Sequence, residues 1–423
     1  MLGVQAGPGD AGTPGEAPDR RRRTDPRGRL TEREAWAVLM SVKGVGPVGF
    51  GALLRAYGSA REVLSAAKLP GAATELIAAG RNDGRRTFDR AIAGEIGRLA
   101  HDPSEPLAAL RAAGVAIVTI DDEAYPARLR AIELPPPVLY VSGDTAAMTN
   151  PRLVAVVGTR RATDEGRSMA ARIGAAIARA GGGVVSGLAV GIDGAAHAAV
   201  VHEHGATLGV LGSGHLRLYP RAHARLAASI LDGGGAIVSE LSPETEPSRD
   251  SFPRRNRLIS GLADATIVVE AGEHSGALIT AGWALEQGRP CFMVPGAVDS
   301  PQSAGCREWL RTYADEVRIV AGIPELIHDL GLLADGRRPP AAGRPSLEAE
   351  LVELGATARG VAVELVRGRA TLDELVAATG HEVATALGAL TMLEMRGLAT
   401  SAYGRYRPAG RLASADPRRP PAP

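Results

Sequence analysis

Short apolar runs alternate with amphipathic segments through the middle of this 423-residue chain. Eight runs predict buried strands, at residues 116–120, 153–158, 184–187, 207–212, 236–240, 266–271, 291–296 and 316–320. The segments between them have the length and apolar spacing of helices. Continuous apolar runs separated by helices are typical of a parallel sheet that is covered on both faces. The pattern therefore predicts an α/β fold over residues 105–325, with a Rossmann-like, doubly wound, mainly parallel sheet.

Residues 30–100 have the apolar spacing of short helices. Thr31 and Glu34 form the sequence pattern of a capping box ahead of an apolar run. In the next stretch, VKGVGPVGFGALLRAYG, Gly44 and Gly46 allow a tight turn before a second helix. This module resembles a SAM or helix–hairpin–helix domain. It either presents a helix N-terminus to a DNA phosphate or packs without contacting DNA.

The last periodic segment, residues 351–408, predicts two short helices, a longer helix and a hairpin, as in a winged helix. A linker rich in Pro, Gly and Arg precedes it at 326–350. The polar tails, 1–29 and 409–423, lack apolar periodicity, so we expect them to be disordered. The candidate recognition helix has no basic residue over 382–394. A DNA-binding role and a protein-binding role therefore both stay open.

Charge and residue usage narrow the possible chemistry. The net charge of +1 argues against a uniformly basic nucleic-acid coat but allows a local basic groove. The lysines, Lys43 and Lys68, lie outside the central domain, which excludes a Walker phosphate loop or a Schiff-base lysine there. The strand at 153–158 leads into VGTRRATDEG, which lacks the G-x-G-x-x-G fingerprint of an NAD enzyme. We therefore predict no cofactor.

Cysteine usage and hydropathy bear on the compartment. Cys291 and Cys306 fall in a predicted strand and a predicted helix, which favours two core thiols over a disulfide or a metal pair. No uncharged stretch reaches the ~18 apolar residues of a membrane span, and the N-terminus lacks an apolar signal core. We expect a cytoplasmic protein without membrane insertion.

Small residues and hydroxyls follow several of the predicted strands. Because the carboxyl ends of parallel strands share one rim of a sheet, we expect these residues to gather there. Backbone N–H groups and helix N-termini at such a rim offer hydrogen-bond donors to a phosphate. The candidate phosphate-binding residues are Gly158, Thr159, Arg160, Ser186, Gly187, Gly212, Ser213 and Gly214.

A cationic turn with one phenylalanine, FPRRNRLISG, directly precedes the strand at 266–271. Arginines that neutralise phosphates, beside an aromatic face that stacks an unpaired base, are typical of single-strand binding. The candidate DNA ligands in this turn are Phe252, Arg254, Arg255, Asn256 and Arg257. Asn256 could instead cap a helix that begins near Arg255.

A structural role for these arginines is the alternative. They could pair with Glu240 or Glu244 at the start of a surface helix, or brace the loop against Glu240 or Glu270. The sequence does not decide which arginines face a ligand.

Two sets of residues are candidates for catalysis: the Asp193 and His197 pair, and Glu270. Asp193 and His197 lie four residues apart on one predicted helix face, as a base with its orienting partner or as half of a metal site. The alternative has Asp193 capping the helix and His197 hydrogen-bonded at the rim. Glu270 is a candidate base for hydrolysis of a nucleotide. Because no nucleophile elbow or paired-cysteine metal motif is present, we expect a rim that holds phosphates without catalysis and without a metal.

The central motifs resemble the DNA-processing protein A (DprA/Smf) family in order and spacing. They are VAVVGTRRATDEG, VVSGLAVGIDGAAHAAV, TLGVLGSGHLRLYP, IVSELSP, SFPRRNRLISGLADATIVVEA, SGALITAGWALEQGRPCFMVPG and SAGC. The resemblance covers roughly residues 120–315 and implies a non-enzymatic homodimer. It implies binding of single-stranded DNA and loading of the RecA recombinase onto it during natural transformation. It also implies that the candidate residues above form the DNA pocket.

This chain departs from the family in one respect. Many members carry lysines around the groove, whereas this chain has none there, and Arg217, Arg221 or Arg249 are the candidate replacements. The helix at 304–314, with Trp309 and Tyr313, is a candidate dimer surface. Two other functions stay open: a nucleotide-hydrolysing enzyme, and a regulator whose winged helix binds duplex DNA.

Overall fold

The computed structural model describes residues 30–82, 85–332, 347–402 and 405–415. The predicted tail at 1–29 lies outside the described residues, as do much of the predicted linker and the end of the second tail.

The N-terminal segment is helical, as predicted. Its elements are α1 (Glu32–Ser41), α2 (Pro47–Tyr57), α3 (Ala60–Ala66), α4 (Ala72–Ala79), the short strands β1 (Arg81–Asn82) and β2 (Arg85–Arg86), α5 (Arg90–His101) and α6 (Ser104–Ala113). The capping box at Thr31 and Glu34 is confirmed. Gly44 has φ +101°, so the turn between α1 and α2 needs a residue without a Cβ atom.

The helical segment packs directly against the central domain. Trp36 of α1 is buried 4.7 Å from the ring of Phe50 in α2, and both belong to an apolar core that continues into the central sheet. The hydroxyl of Tyr140 donates to the carbonyl of Ala37 at 3.4 Å. Arg33 Nε donates to Asp122 at 3.1 Å.

The central sheet has nine strands. They are β3 (Ala116–Thr119), β4 (Val138–Gly143), β5 (Leu153–Val157), β6 (Gly183–Ser186), β7 (Thr207–Val210), β8 (Ala236–Ser239), β9 (Ala265–Val268), β10 (Cys291–Met293) and β11 (Val317–Ile319). Their order is β11-β10-β9-β5-β6-β7-β8-β4-β3. All eight predicted strands are present. β4, in the apolar run VLYVSG, was missed, and it pairs antiparallel with β3 and β8.

Helices cover both faces of this sheet. They are α7 (Ala127–Arg130), α8 (Asp164–Arg179), α9 (Ile192–His202), α10 (Ala224–Asp232), α11 (Ser251–Leu262), α12 (Gly276–Glu286), α13 (Ala304–Thr312) and α14 (Ile323–Asp329). Alternate residues of β5 enter separate apolar cores: Leu153 and Ala155 face one, Val154 and Val156 the other. The predicted doubly wound architecture is confirmed.

The C-terminal segment folds around its own apolar core. It contains α15 (Leu347–Leu354), α16 (Ala356–Val366), α17 (Leu372–Thr379), α18 (Val383–Met395), β12 (Ala399–Ala402) and β13 (Arg405–Pro408). This is the predicted winged helix. Arg405 Nε lies 3.6 Å from Asp121 of the central domain. None of the helices in the described residues has the length and hydropathy to cross a membrane.

Candidate nucleic-acid interface

A crevice of about 940 Å³ opens at the carboxyl ends of the central strands. The chain leaves β5 toward β6, β7 and β8 on one side and returns to β9 on the other, so the crevice lies at the topological switch point of the sheet. Ligands of open α/β sheets bind at this position. Its lining includes Gly158, Thr159, Arg160, Tyr219, Phe252 and Asn256.

The floor of the crevice is fixed by Glu270, at the end of β9. Its carboxylate accepts hydrogen bonds from the backbone N–H and the hydroxyl of Thr163, both at 2.9 Å, at the start of α8. The Glu270 carbonyl accepts the N–H of Thr159 at 2.7 Å. Glu270 is 3% exposed, so it is engaged in positioning α8 and is not open to the crevice as a base.

An aromatic pair and one arginine form the wall of the crevice. The guanidinium carbon of Arg160 lies 4.9 Å from the ring centroid of Phe252, within cation–π range. The ring of Tyr219 lies 5.5 Å from Phe252, at an interplanar angle of 52°. A Cβ atom at Gly212 would lie 2.7 Å from the Phe252 ring, so this glycine lets the ring rest on the backbone. Phe252 is thus packed on several sides, whereas Tyr219 is 45% exposed.

FPRRNR is helical, and this corrects two predictions. Helix α11 begins at Ser251, not near Arg255, and Asn256 does not cap it. The N-cap residue is Asp250, whose side chain makes no capping hydrogen bond, and the N–H of Ser251 donates to the Ser248 hydroxyl at 3.1 Å. Arg254 lies in the first turn of α11, near the N-cap residue Asp250, and is exposed.

Arg255 and Arg257 point into the protein, contrary to the prediction that they bind phosphates. Arg255 Nη1 donates to the carbonyl of Gly187 at 2.8 Å and to that of Val210. Burial lowers the pKa of Arg255 to about 10. Arg257 forms an ion pair with Glu240 and donates to the carbonyl of Leu134 at 3.1 Å. The bracing alternative against Glu240 holds for Arg257.

The spacing of α11 explains why Arg255 is internal. Arg255 lies three, four and seven residues before Leu258, Ile259 and Leu262, which are all buried. It therefore shares their helix face. Arg254 lies off this face and is exposed.

Most of the predicted phosphate-binding turns use their polar groups internally. The Ser186 hydroxyl donates to the carbonyl of Val156 at 2.6 Å, whereas the Ser213 hydroxyl is fully buried and has no hydrogen-bond partner among the described residues. The N–H of Gly187 donates to Asp193 at 3.1 Å, and that of Gly214 to Thr245 at 2.8 Å. These groups shape the rim, and their hydrogen bonds leave little capacity for a phosphate. The prediction that they bind DNA directly does not fit this arrangement.

Asp193 and His197 are also internal. Asp193 lies in the first turn of α9 and accepts from the loop at Gly187; it does not cap its own helix. His197 Nδ1 lies 2.8 Å from the Thr207 hydroxyl, and burial lowers the pKa of His197 to about 3. The imidazole is therefore neutral at physiological pH. Across the described residues, no group of three or more His, Cys, Asp or Glu side chains could hold a metal.

Two protein families match consecutive parts of the chain. Residues 116–328 match the DNA recombination-mediator protein A family, and residues 339–405 match the DprA winged helix domain. The chain belongs to the DNA-processing protein A (DprA/Smf) family. The motif resemblance is thereby confirmed.

Individual proteins that are similar to this chain support the family assignment. The putative DNA processing protein DprA of Mycobacterium tuberculosis is 40% identical over 327 residues, 74% of this chain and 81% of the relative. The DNA processing protein DprA of Bacillus subtilis is 43% identical over 199 residues, 47% of this chain and 67% of the relative. The X-ray structure of DprA from Streptococcus pneumoniae superposes with a TM-score of 0.58 and 27% identity, covering 71% of this chain and 98% of that one.

The crevice of this DprA/Smf chain is also lined by residues that were not proposed as DNA ligands from the sequence. Tyr219, Arg161 and Ile279 line it. Tyr219 lies in the motif TLGVLGSGHLRLYP, but a lone tyrosine in a loop without apolar periodicity gives no sign of which way it faces. Of the three candidate lysine replacements, Arg249 lines the crevice. Arg217 is paired with Glu246 at 3.2 Å.

The internal orientation of Arg257 and the exposed orientation of Arg254 predict effects of different size on the free energy of unfolding. Arg257→Ala removes the buried ion-pair partner of Glu240, whose side chain is only 12% exposed, and we expect a loss of about 3–5 kcal/mol in the free energy of unfolding. Arg254→Ala, the matched control on the exposed face, should change it by no more than about 0.5 kcal/mol. Denaturant unfolding of both variants measures the difference. Equal unfolding midpoints would contradict the assigned orientations.

Proposed function

We propose that this chain is a recombination mediator that binds single-stranded DNA in the rim crevice. In this role it protects incoming single strands and loads the RecA recombinase onto them during natural transformation and DNA processing. The observation that carries the proposal is the juxtaposition of exposed arginines with an aromatic pair at the switch point of the sheet. The named DprA relatives support it.

The chemistry of the crevice favours unpaired strands. Arg160, Arg161 and Arg249 are exposed at its lining and offer charge to a phosphate backbone. An aromatic side chain can stack only on a base whose face is free, which duplex DNA does not provide. Because stacking accepts any base, binding should be tolerant of sequence.

The two aromatic residues have different parts in this proposal. Phe252 is held between Gly212, Arg160 and Tyr219, so it supports the wall of the crevice. Tyr219 is the more open ring and offers its face to a base. Arg254, exposed in the first turn of α11, supplies a further phosphate contact.

The crevice is proposed to bind DNA without breaking bonds. The two candidate bases from the sequence, Glu270 and Asp193, are each buried and accept hydrogen bonds that fix the rim. Holding a strand without cutting it is what a mediator requires. The same geometry gives no support to the alternative of nucleotide hydrolysis from Glu270.

The proposed partners are a second copy of the chain and RecA. A mediator that holds a strand and passes it to a filament gains from two linked binding sites. Tyr313, just after α13, is 38% exposed and packs 4.8 Å from the ring of the half-buried Trp309. This surface is the candidate two-fold interface. It is a proposal that rests mainly on the family.

Salt dependence tests the phosphate contacts. Each contact should contribute about −0.7 to the slope of log affinity against log salt for single strands. Arg160→Ala should make the slope shallower by about 0.7 and weaken all sequences by a similar factor. Fluorescence anisotropy with oligonucleotides of several sequences provides the measurement. A slope near zero for the parent protein would exclude a backbone-binding crevice.

Stacking is tested separately from charge. Tyr219→Ala should lose about 1–3 kcal/mol of single-strand binding without changing the salt slope, whereas Tyr219→Phe should keep most of the affinity. Because Tyr219 and Phe252 touch, the double alanine variant should lose less than the sum of the single losses. If Tyr219→Ala binds like the parent while remaining folded, Tyr219 does not stack.

The dimer is tested by light scattering at micromolar protein. We expect a dimer for the parent chain, since two-fold assemblies are the commonest oligomers. Tyr313→Arg should yield monomers, because it places a charge in the proposed interface. Leu69→Arg, an exposed position in the N-terminal helical segment, is the control and should remain dimeric. A monomeric parent protein would overturn the proposed assembly.

A further inference from the structure

The outward face of α18 in the winged helix is apolar, and no described part of the chain covers it. Its inner face is buried in the domain core through Ala386, Ala389, Leu390 and Leu393. The exposed large apolar residues of this helix are Val383, Leu387, Met392 and Met395. They are four of the fourteen such residues across the described part of the chain, and Met395 is 82% exposed. A concentration of this kind marks an interaction site.

The centre of this face is a continuous seam. Ala384, Gly388, Thr391 and Met395 are all exposed, and their spacing of four, three and four residues is that of two packed helices. Among the described residues, no atom lies within 4 Å of the position that a Cβ atom would take at Gly388. The seam is therefore flat and open at its middle, which permits close approach of another helix.

The charge pattern argues against DNA as the occupant. The segment 383–395 contains no Lys or Arg, and its one charged residue is Glu394. A helix that enters a groove of DNA needs cations for the flanking phosphates. A surface without charge at its centre is instead typical of the core of a protein interface.

We propose that α18 pairs with α18 of a second copy of this chain, in antiparallel orientation. Glu382 stands just before the helix and Arg396 just after it, and both are exposed. Antiparallel pairing brings the glutamate of each copy near the arginine of the other, whereas parallel pairing would place like charges together. Arg396 lies 3.5 Å from Glu353 in its own chain, an exposed pair that costs little to exchange.

The seam defines the register of this contact. Two-fold symmetry with Gly388 opposite Thr391 of the second copy places Ala384 opposite Met395 of that copy. A long methionine then lies over a small alanine at each end of the seam, where its flexible side chain adapts to the surface beneath it. Each helix also lays its negative C-terminal end beside the positive N-terminal end of its partner.

The contact is small. A helix of 13 residues is about 20 Å long, and one face of it buries less than the ~800 Å² per partner of a standard interface. The pairing is therefore weak between free chains and strengthens when two copies are already held together, because their local concentration rises. It does not depend on the DNA crevice.

Cysteine cross-linking of the full chain tests the register. Cys291 and Cys306 are both buried, so an added surface cysteine is the reactive thiol. Ala384→Cys mixed with a size-tagged Met395→Cys should form the mixed disulfide dimer at least about tenfold faster than Val352→Cys mixed with the same Met395→Cys. Val352 is an exposed apolar position on α15 and serves as the control.

The second part of the experiment places a charge at the centre of the seam. Gly388→Glu, added to both cysteine variants, should reduce mixed cross-linking to the control rate, because it apposes like charges near the two-fold axis. Since Glu favours helix more than Gly, α18 should keep its structure, which circular dichroism checks. Mixed cross-linking at the Val352→Cys rate, faster cross-linking of each variant with itself, or no effect of Gly388→Glu would each overturn the proposal.

Discussion

The structure of the rim depends on two guanidinium groups buried beneath it. Arg255 hydrogen-bonds the carbonyls of Gly187 and Val210, at the ends of β6 and β7, while Arg257 pairs with Glu240 beyond β8. A buried charge is tolerated only when it is paired and hydrogen-bonded, so these contacts fix α11 across the ends of three strands. The positions of Phe252 and of the crevice wall follow from that anchoring.

One short motif thus performs two tasks. The internal arginines hold the helix, and the start of the same helix places Phe252 in the crevice wall and leaves Arg254 exposed. Most of the polar atoms in the neighbouring turns form hydrogen bonds within the protein and shape the rim. In the proposed function, recognition of the strand rests on a few exposed side chains from separate loops: Arg160, Tyr219 and Arg249. This division explains how a chain of net charge +1 can present a local cationic surface.

The fold could be predicted from the sequence because apolar runs and helical spacing directly report burial. β4 was missed because its run follows three prolines and forms an antiparallel pair outside the alternating pattern. A crevice lies at the predicted rim of the sheet, but only some of the predicted side chains line it. Whether Arg255 faces DNA or a backbone carbonyl depends on which side of α11 packs on the sheet. The helix start was predicted near Arg255, whereas α11 begins at Ser251, so this packing was not predicted. The openness of Tyr219 depends on a loop with no periodic signal.

An equilibrium titration of single-stranded against double-stranded oligonucleotides of equal length and sequence tests the central claim most directly. It is done without added nucleotide or metal, on the parent chain and on an Arg160→Ala, Tyr219→Ala double variant. The account predicts that the parent prefers the single strand and that the double variant loses this preference while remaining folded. Equal or tighter binding of duplex by the parent, or an unchanged preference in the variant, would contradict it.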